Sequence, residues 1–156
     1  MKRVLAPLLL ALSLHAVGAP GQREAVLDAM RPTAARLAGQ PVKFALETFN
    51  LDEQWALAFG HLVRADGGAV DWSLASKTSD CSGSNDKIFM AVAHKVDGRW
   101  TLRDQDIDIC AWEPPYWHVD RVEKMGFPCD LLRNLQSIHE KTVVDECKAL
   151  RRARRR

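Results

Sequence analysis

Two strand-forming runs meet at Asp97-Gly98, and that junction constrains the chain more than any other stretch. Ile88–Val96 is apolar and rich in strand formers, and Arg99–Arg103 begins a second run. An Asp-Gly pair between two such runs is a strong hairpin signal, so the strands lie antiparallel. Two registers are open. A two-residue turn pairs Val96 with Arg99 and puts Trp100 and Leu102 on the face of Phe89, Ala91 and Ala93. A three-residue turn bulged at Gly98 puts them with Ile88, Met90, Val92 and His94. A one-residue slip moves every side chain to the other face. The bulged form is expected, because it gathers the large apolar residues together.

The flanking segments supply the rest of a sheet and its cover. Val42–Asn50 alternates, with Val42, Phe44 and Leu46 opposite Lys43 and Glu47, as a half-buried strand does. Trp55–Val63 alternates too: Trp55, Leu57, Phe59, His61 and Val63 share a face, and Ala56, Ala58, Gly60 and Leu62 the other. Those small residues leave room for a helix close to the sheet. Gln22–Leu37 is the natural candidate, with Val26, Met30, Ala34 and Leu37 at helical spacing. Pro32 predicts a kink, or two short helices meeting at Arg31, and Gly39 a stop. Ala69–Leu74 reads as a short edge strand, Ser76–Asp86 as an exposed loop, and 118–126 as a short helix. From Asp130 a long helix is expected, with the seam Leu131, Leu135, Ile138, Val143, Cys147 and Leu150. The fold class is therefore α+β: an N-terminal helix packed on an antiparallel sheet of about four strands, plus a C-terminal helix.

The first 18 residues read as an export signal. Lys2 and Arg3 precede the apolar run Val4–Leu14, and Ala16 and Gly18 occupy the small positions before the cut. The run is too short to span a bilayer, which takes ~20 apolar residues. No stable membrane insertion is expected after cleavage, and the destination is periplasmic or secreted. Residues 19–150 then form one α+β domain, and 151–156 a basic tail. Lys148–Arg156 carries six bases and no acid, leaving 14 bases against 20 acids in the body before it. A body of that charge argues against nucleic acid as a partner. The basic run could attract phosphates, but its bland reading is a solvated helix end.

Cys81, Cys110, Cys129 and Cys147 all follow the signal, and an even count in an exported chain predicts two disulfides. If Cys129 and Cys147 bracket one continuous helix, ~27 Å separates them. A disulfide needs its Cα atoms within roughly 7 Å. Unless the helix breaks, two connectivities remain: 110–129 with 81–147, or 81–129 with 110–147. The first is favoured because 110–129 closes the shorter loop.

No catalytic motif stands out. Asp104, Asp106 and Asp108 alternate, as on one face of a strand. A calcium loop starting at Asp104 would need Gly and Glu where Ile109 and Pro115 stand. No metal and no cofactor is expected. Trp55 and Trp100 belong to the core by pattern. Trp72, Tyr116 and Trp117, in irregular segments, are the candidates for a contact surface. An alternative pocket would have His61 and His94, as base and acid, and an acid such as Asp104 facing one cavity.

Arg31-Pro32 in a helix, Gly39-Gln40-Pro41-Val42-Lys43-Phe44, Trp55-Ala56-Leu57-Ala58-Phe59, Asp97-Gly98-Arg99-Trp100, Asp108 with Trp112 and Trp117, and Gly126-Phe127-Pro128 resemble small exported bacterial proteins without an assigned function. The likeness covers roughly residues 23–132, and its helix-then-meander order is similar to cystatin-like or NTF2-like sheets. It implies the fold and carries over no catalytic residue. The cysteines and the segment after Asp130 are additions to that pattern. The expected function is a non-catalytic binding or interaction domain of the periplasm, of the inhibitor or immunity kind, whose partner is another exported protein. The alternative is a small NTF2-like enzyme or ligand-binding cup.

Overall fold

A computed structural model describes residues 20–76, 81, 87–111, 126–135 and 142–156. The export segment, Trp112, Tyr116, Trp117, the helix expected over 118–126, Ile138 and most of the Ser76–Asp86 loop lie outside those residues. Helix α1 spans Pro20–Ala38, and the strands are β1 (Val42–Leu51), β2 (Trp55–Arg64), β3 (Ile88–Val96), β4 (Arg99–Thr101) and β5 (Ile107–Ala111). Helix α2 spans Val143–Arg154. The class is α+β, a helix at each end of an antiparallel sheet.

The chain runs through Pro32 in one helix. Pro32 lies on the exposed face of α1, where solvent can satisfy the carbonyl that loses its donor. The opposite stripe, Val26, Met30, Ala34 and Leu37, is buried. It packs with Ala56, Ala58 and Leu62 of β2 and Phe89, Ala91 and Ala93 of β3. The small side chains of β2 therefore do admit the helix. Gly39 ends it at φ 68°, with Gln40 N donating to Ala35 O and Gly39 N to Arg36 O. That is the double-bonded stop in which a left-handed residue satisfies the last carbonyls.

Strand order is β1-β2-β3-β4, and β5 also pairs with β3. β4 and β5 follow one another along the same edge of β3, meeting residues 94–96 and 88–91. Between them Asp104–Asp106 makes a 3-10 turn, which breaks the single acidic strand the alternation suggests. The hairpin takes the two-residue turn, not the bulged one: Val96 pairs with Arg99 and Lys95 with Trp100. Asp97 and Gly98 have φ 49° and 76°, the two left-handed residues of the turn that matches strand twist. Trp100 and Leu102 accordingly join the face of Phe89, Ala91 and Ala93. In β1 the register shifts between Leu46 and Thr48, so Phe49 and Leu51 pack toward α1 while Asn50 turns to the second face.

Ala69–Leu74 forms no strand. Asp71 caps a 3-10 turn at Trp72–Leu74 instead, accepting from Ser73 N at 3.0 Å and Ser73 Oγ at 2.6 Å. Such short polar side chains offer the backbone an alternative to the ladder.

The second face of the sheet is also covered. Leu57, Met90 and Val92 are buried there with Phe127, Cys129, Leu131, Leu132 and Cys147. Cys129–Leu132 is a 3-10 turn, Asn134 is left-handed at φ 67°, and α2 begins only at Val143. The long helix expected from Asp130 is thus not continuous, which corrects the cysteine pairing. Cys129 bonds to Cys147, with Cα atoms 5.7 Å apart, and Cys81 to Cys110, at 5.4 Å. Leu150, placed in the expected seam, is exposed. Among the described residues no helix is long and apolar enough to cross a membrane.

Two glycines separate strain from collision. A Cβ at Gly98 meets nothing within 4 Å, whereas one at Gly39 would sit 1.9 Å from the Leu74 carbonyl oxygen. Gly98→Ala should cost about 1–2 kcal/mol, the left-handed penalty alone. Gly39→Ala should cost roughly twice that or more, because the backbone must also shift. Urea unfolding of the two variants beside the wild type checks the order.

Candidate functional site

The C-terminal helix carries its charges in sequence order. Thr142 caps it, its Oγ1 accepting from Asp145 N at 3.2 Å and donating to Asp145 Oδ2 at 2.7 Å. Asp145 and Glu146 lie in the first turn, and Arg151, Arg152 and Arg154 near the end. Acids at the N-terminus and bases at the C-terminus both oppose the helix dipole. Residues 151–154 are therefore the last turn of α2, not a tail.

Lys148, Arg151, Arg152 and Arg155 stand at i, i+3, i+4 and i+7, which is one stripe of the helix. The stripe faces the 3-10 turn across an open groove of about 330 Å³, whose other wall includes Cys129 and Asp130. Three interactions hold the walls in place. Cys129 and Cys147 join them covalently. Lys148 Nζ lies 2.7 Å from Asp130 Oδ1, and Arg151 donates to the Phe127 carbonyl. The turn is tied to the sheet by Asn50, buried in β1, whose Nδ2 donates to Leu131 O at 2.9 Å and Arg133 O at 2.6 Å.

The electrostatics follow from those contacts. The hydrogen bond and charge of Lys148 hold the Asp130 carboxyl below its ordinary 3.8. One cation of the groove is thus matched by its one acid. Arg151 keeps its charge while bonding a neutral carbonyl. Arg152 and Arg155 are exposed and have no acidic partner among the described residues. Among the described residues three positive charges in a small concave space have no acidic partner, which suits an anion.

The residues singled out from sequence fall elsewhere. Trp72 is half-buried and packs on the core beside α1, while its neighbour Asp71 is held to Gln40 by paired bonds of 2.7 and 3.2 Å. Tyr116 and Trp117 lie outside the described residues. His61 and His94 share the second face but not a place on it. His94 pairs in register with Trp55, six positions from His61, a span of ~20 Å. His94 stacks on Trp55 at 4.1 Å, and Trp55 lies 5.9 Å from Phe127. His61 Nδ1 lies 2.8 Å from the Lys87 carbonyl, and its Nε2 is 2.8 Å from Glu47. Asp104 pairs with Arg36 of α1 at 2.6 Å, on the helix side. The structure does not bring His61, His94 and Asp104 together. Nor do the three aspartates converge: Asp106 is buried against Arg103, and Asp108 accepts from Cys110 N. Among the described residues no group of three metal-ligating side chains occurs.

The sequence shows the basic run and its attraction for phosphates, but the expected solvated helix end leaves out the i, i+3, i+4, i+7 stripe within it. Sequence reasoning also passed over Asn50, whose inward turn depends on a bulge that no pattern announces.

Two outcomes test this assembly. Asn50→Ala leaves two carbonyls without their donor and should cost about 1–3 kcal/mol in urea unfolding. The Cys129→Ser/Cys147→Ser pair opens a loop of 18 residues and should cost about 3 kcal/mol. The groove salt bridge adds a pH signature. Because the folded-state value of Asp130 is depressed, its stabilisation is present above 3.8 and lost as pH falls below it. Carboxyl titration by NMR should find Asp130 below 3.8, and Lys148→Gln should return it toward that value.

Comparison of the chain with protein-family models, curated proteins and solved structures finds no match.

Proposed function

We propose that the protein is an exported, non-catalytic binding domain that works in an oxidising compartment, periplasmic or extracellular, and takes an anionic partner in the groove beside α2. The observation that carries the reading is the pair Arg152 and Arg155, beside Lys148 and Arg151 and without acidic partners among the described residues. The groove is braced before any ligand arrives, so its walls need little ordering on binding. The two disulfides support the compartment, since such bonds persist where thiols are not kept reduced. The signal at residues 1–18 supports export. Another exported protein enters this reading as a carrier of the anionic group. The enzyme-like alternative needs His61, His94 and Asp104 at one point, and the geometry offers nothing to develop there.

A panel of small anions tests the proposal. Sulfate, citrate and pyrophosphate are titrated into the 15N-labelled protein, and the backbone amides of Asp130 and residues 148–155 are followed. At least one anion should move those amides saturably. Arg152→Glu/Arg155→Glu should abolish the response, and Lys43→Glu/Arg99→Glu, with the same change in net charge, should leave it. No saturable response to any anion, or equal loss in both variants, removes the reading.

A further inference from the structure

The groove selects among anions by the geometry of its donors. Resting on the anion-binding reading, we infer that it is a phosphate site, built for one compact phosphate or pyrophosphate group. Three of its four cations are arginines. A guanidinium presents a planar fork of N–H donors that meets two oxygens at once, whereas an ammonium acts as a point charge. Arg152 and Arg155 lie on adjacent turns, and among the described residues neither fork has an acidic partner. A single carboxylate has two oxygens and fills one fork. A phosphate group has three or four and can fill both, with Arg151 adding charge alongside.

Size and charge argue for a compact ligand. About 330 Å³ lies at the small end of ligand clefts. A nucleic-acid duplex would extend beyond it over a body that holds 14 bases against 20 acids. The groove offers a local field of three positive charges with no acidic partner among the described residues. The helix dipole opposes an anion at this end with about half a unit charge, which the arginines outweigh. Lys148 pairs with Asp130 at 2.7 Å, which offsets the one carboxylate lining the groove.

The phosphate can be free in solution or the headgroup of a lipid, and the probes separate the two. The full mature protein is titrated calorimetrically with sodium pyrophosphate and, separately, with citrate. It is also sedimented with phosphatidylcholine vesicles with and without phosphatidic acid. Pyrophosphate should bind more tightly than citrate by tenfold or more. Arg152→Gln/Arg155→Gln should lose about 100-fold, near tenfold for each charge-assisted fork. Lys43→Gln/Arg99→Gln should bind as the wild type does. Pyrophosphate binding with no vesicle binding assigns a soluble phosphate. Binding only to phosphatidic acid vesicles, lost in the same arginine variant, assigns a headgroup. Citrate binding equal to pyrophosphate overturns the phosphate inference while leaving the anion-binding reading in place. Absence of binding to both pyrophosphate and phosphatidic acid overturns the inference, as does binding unchanged in the arginine variant. Both arginines are exposed, and matching circular dichroism and unfolding midpoints would show that the variant keeps its fold.

Discussion

The structure depends on a sheet that buries both of its faces. Residues 89–93 of β3 are all buried, so alternate side chains need apolar cover on opposite sides. A strand of that kind shows no clean alternation and cannot lie at the surface of a sandwich. One cover is α1, long enough to pack its own stripe against the alanines of β2 and β3. The other is a patchwork of Phe127, the 129–132 turn and the first half of α2. Short segments of this kind fix many dihedrals for little buried area. That imbalance explains where the covalent and polar reinforcement goes.

Each face has its own disulfide. Cys81 and Cys110 lie in the core with α1, so that bond pins a point of the 76–87 connection to β5. Cys129 and Cys147 lie in the second core, so the other bond joins the two pieces of the weaker cover to each other. Asn50 then joins those pieces to the sheet through two backbone carbonyls. A buried amide normally weakens a core unless its donors are used. Here both named bonds leave from one nitrogen, and they anchor a 3-10 turn whose own backbone bonds, such as Leu131 N to Pro128 O, are all local.

The same two-sided burial explains what could and could not be read in advance. The small-residue face of β2 announced the helix above it, because only one element fits against Ala56 and Ala58. The hairpin register departs from the expected bulged form for a related reason. Gathering large apolar residues on one side discriminates only when the other side meets water, and here neither does. The turn itself decided, through left-handed Asp97 and Gly98. The cysteine pairing failed on a single premise, a continuous helix from Asp130. Once Asn134 takes a left-handed conformation, the chain can double back and bring Cys129 to Cys147. No periodicity over Leu131, Leu135 and Val143 reports such a break, since the same residues pack inward on either path.

That doubling back also creates the groove. On a continuous helix, Asp130 and Lys148 would stand ~27 Å apart, and the terminal arginines would face solvent on all sides. Folded back, Asp130 meets Lys148 at 2.7 Å, and the arginine stripe gains a wall opposite it. Cations on a fraying helix end would have to be ordered by whatever they bind, which weakens binding by the entropy of fixing long side chains. Cations on a helix cross-linked at Cys147, one turn before the stripe continues, start from a fixed backbone. The bond that completes the second cover is therefore also the one that turns a basic run into a place with shape. On the anion-binding reading, stability of that cover and binding in the groove depend on the same two cysteines.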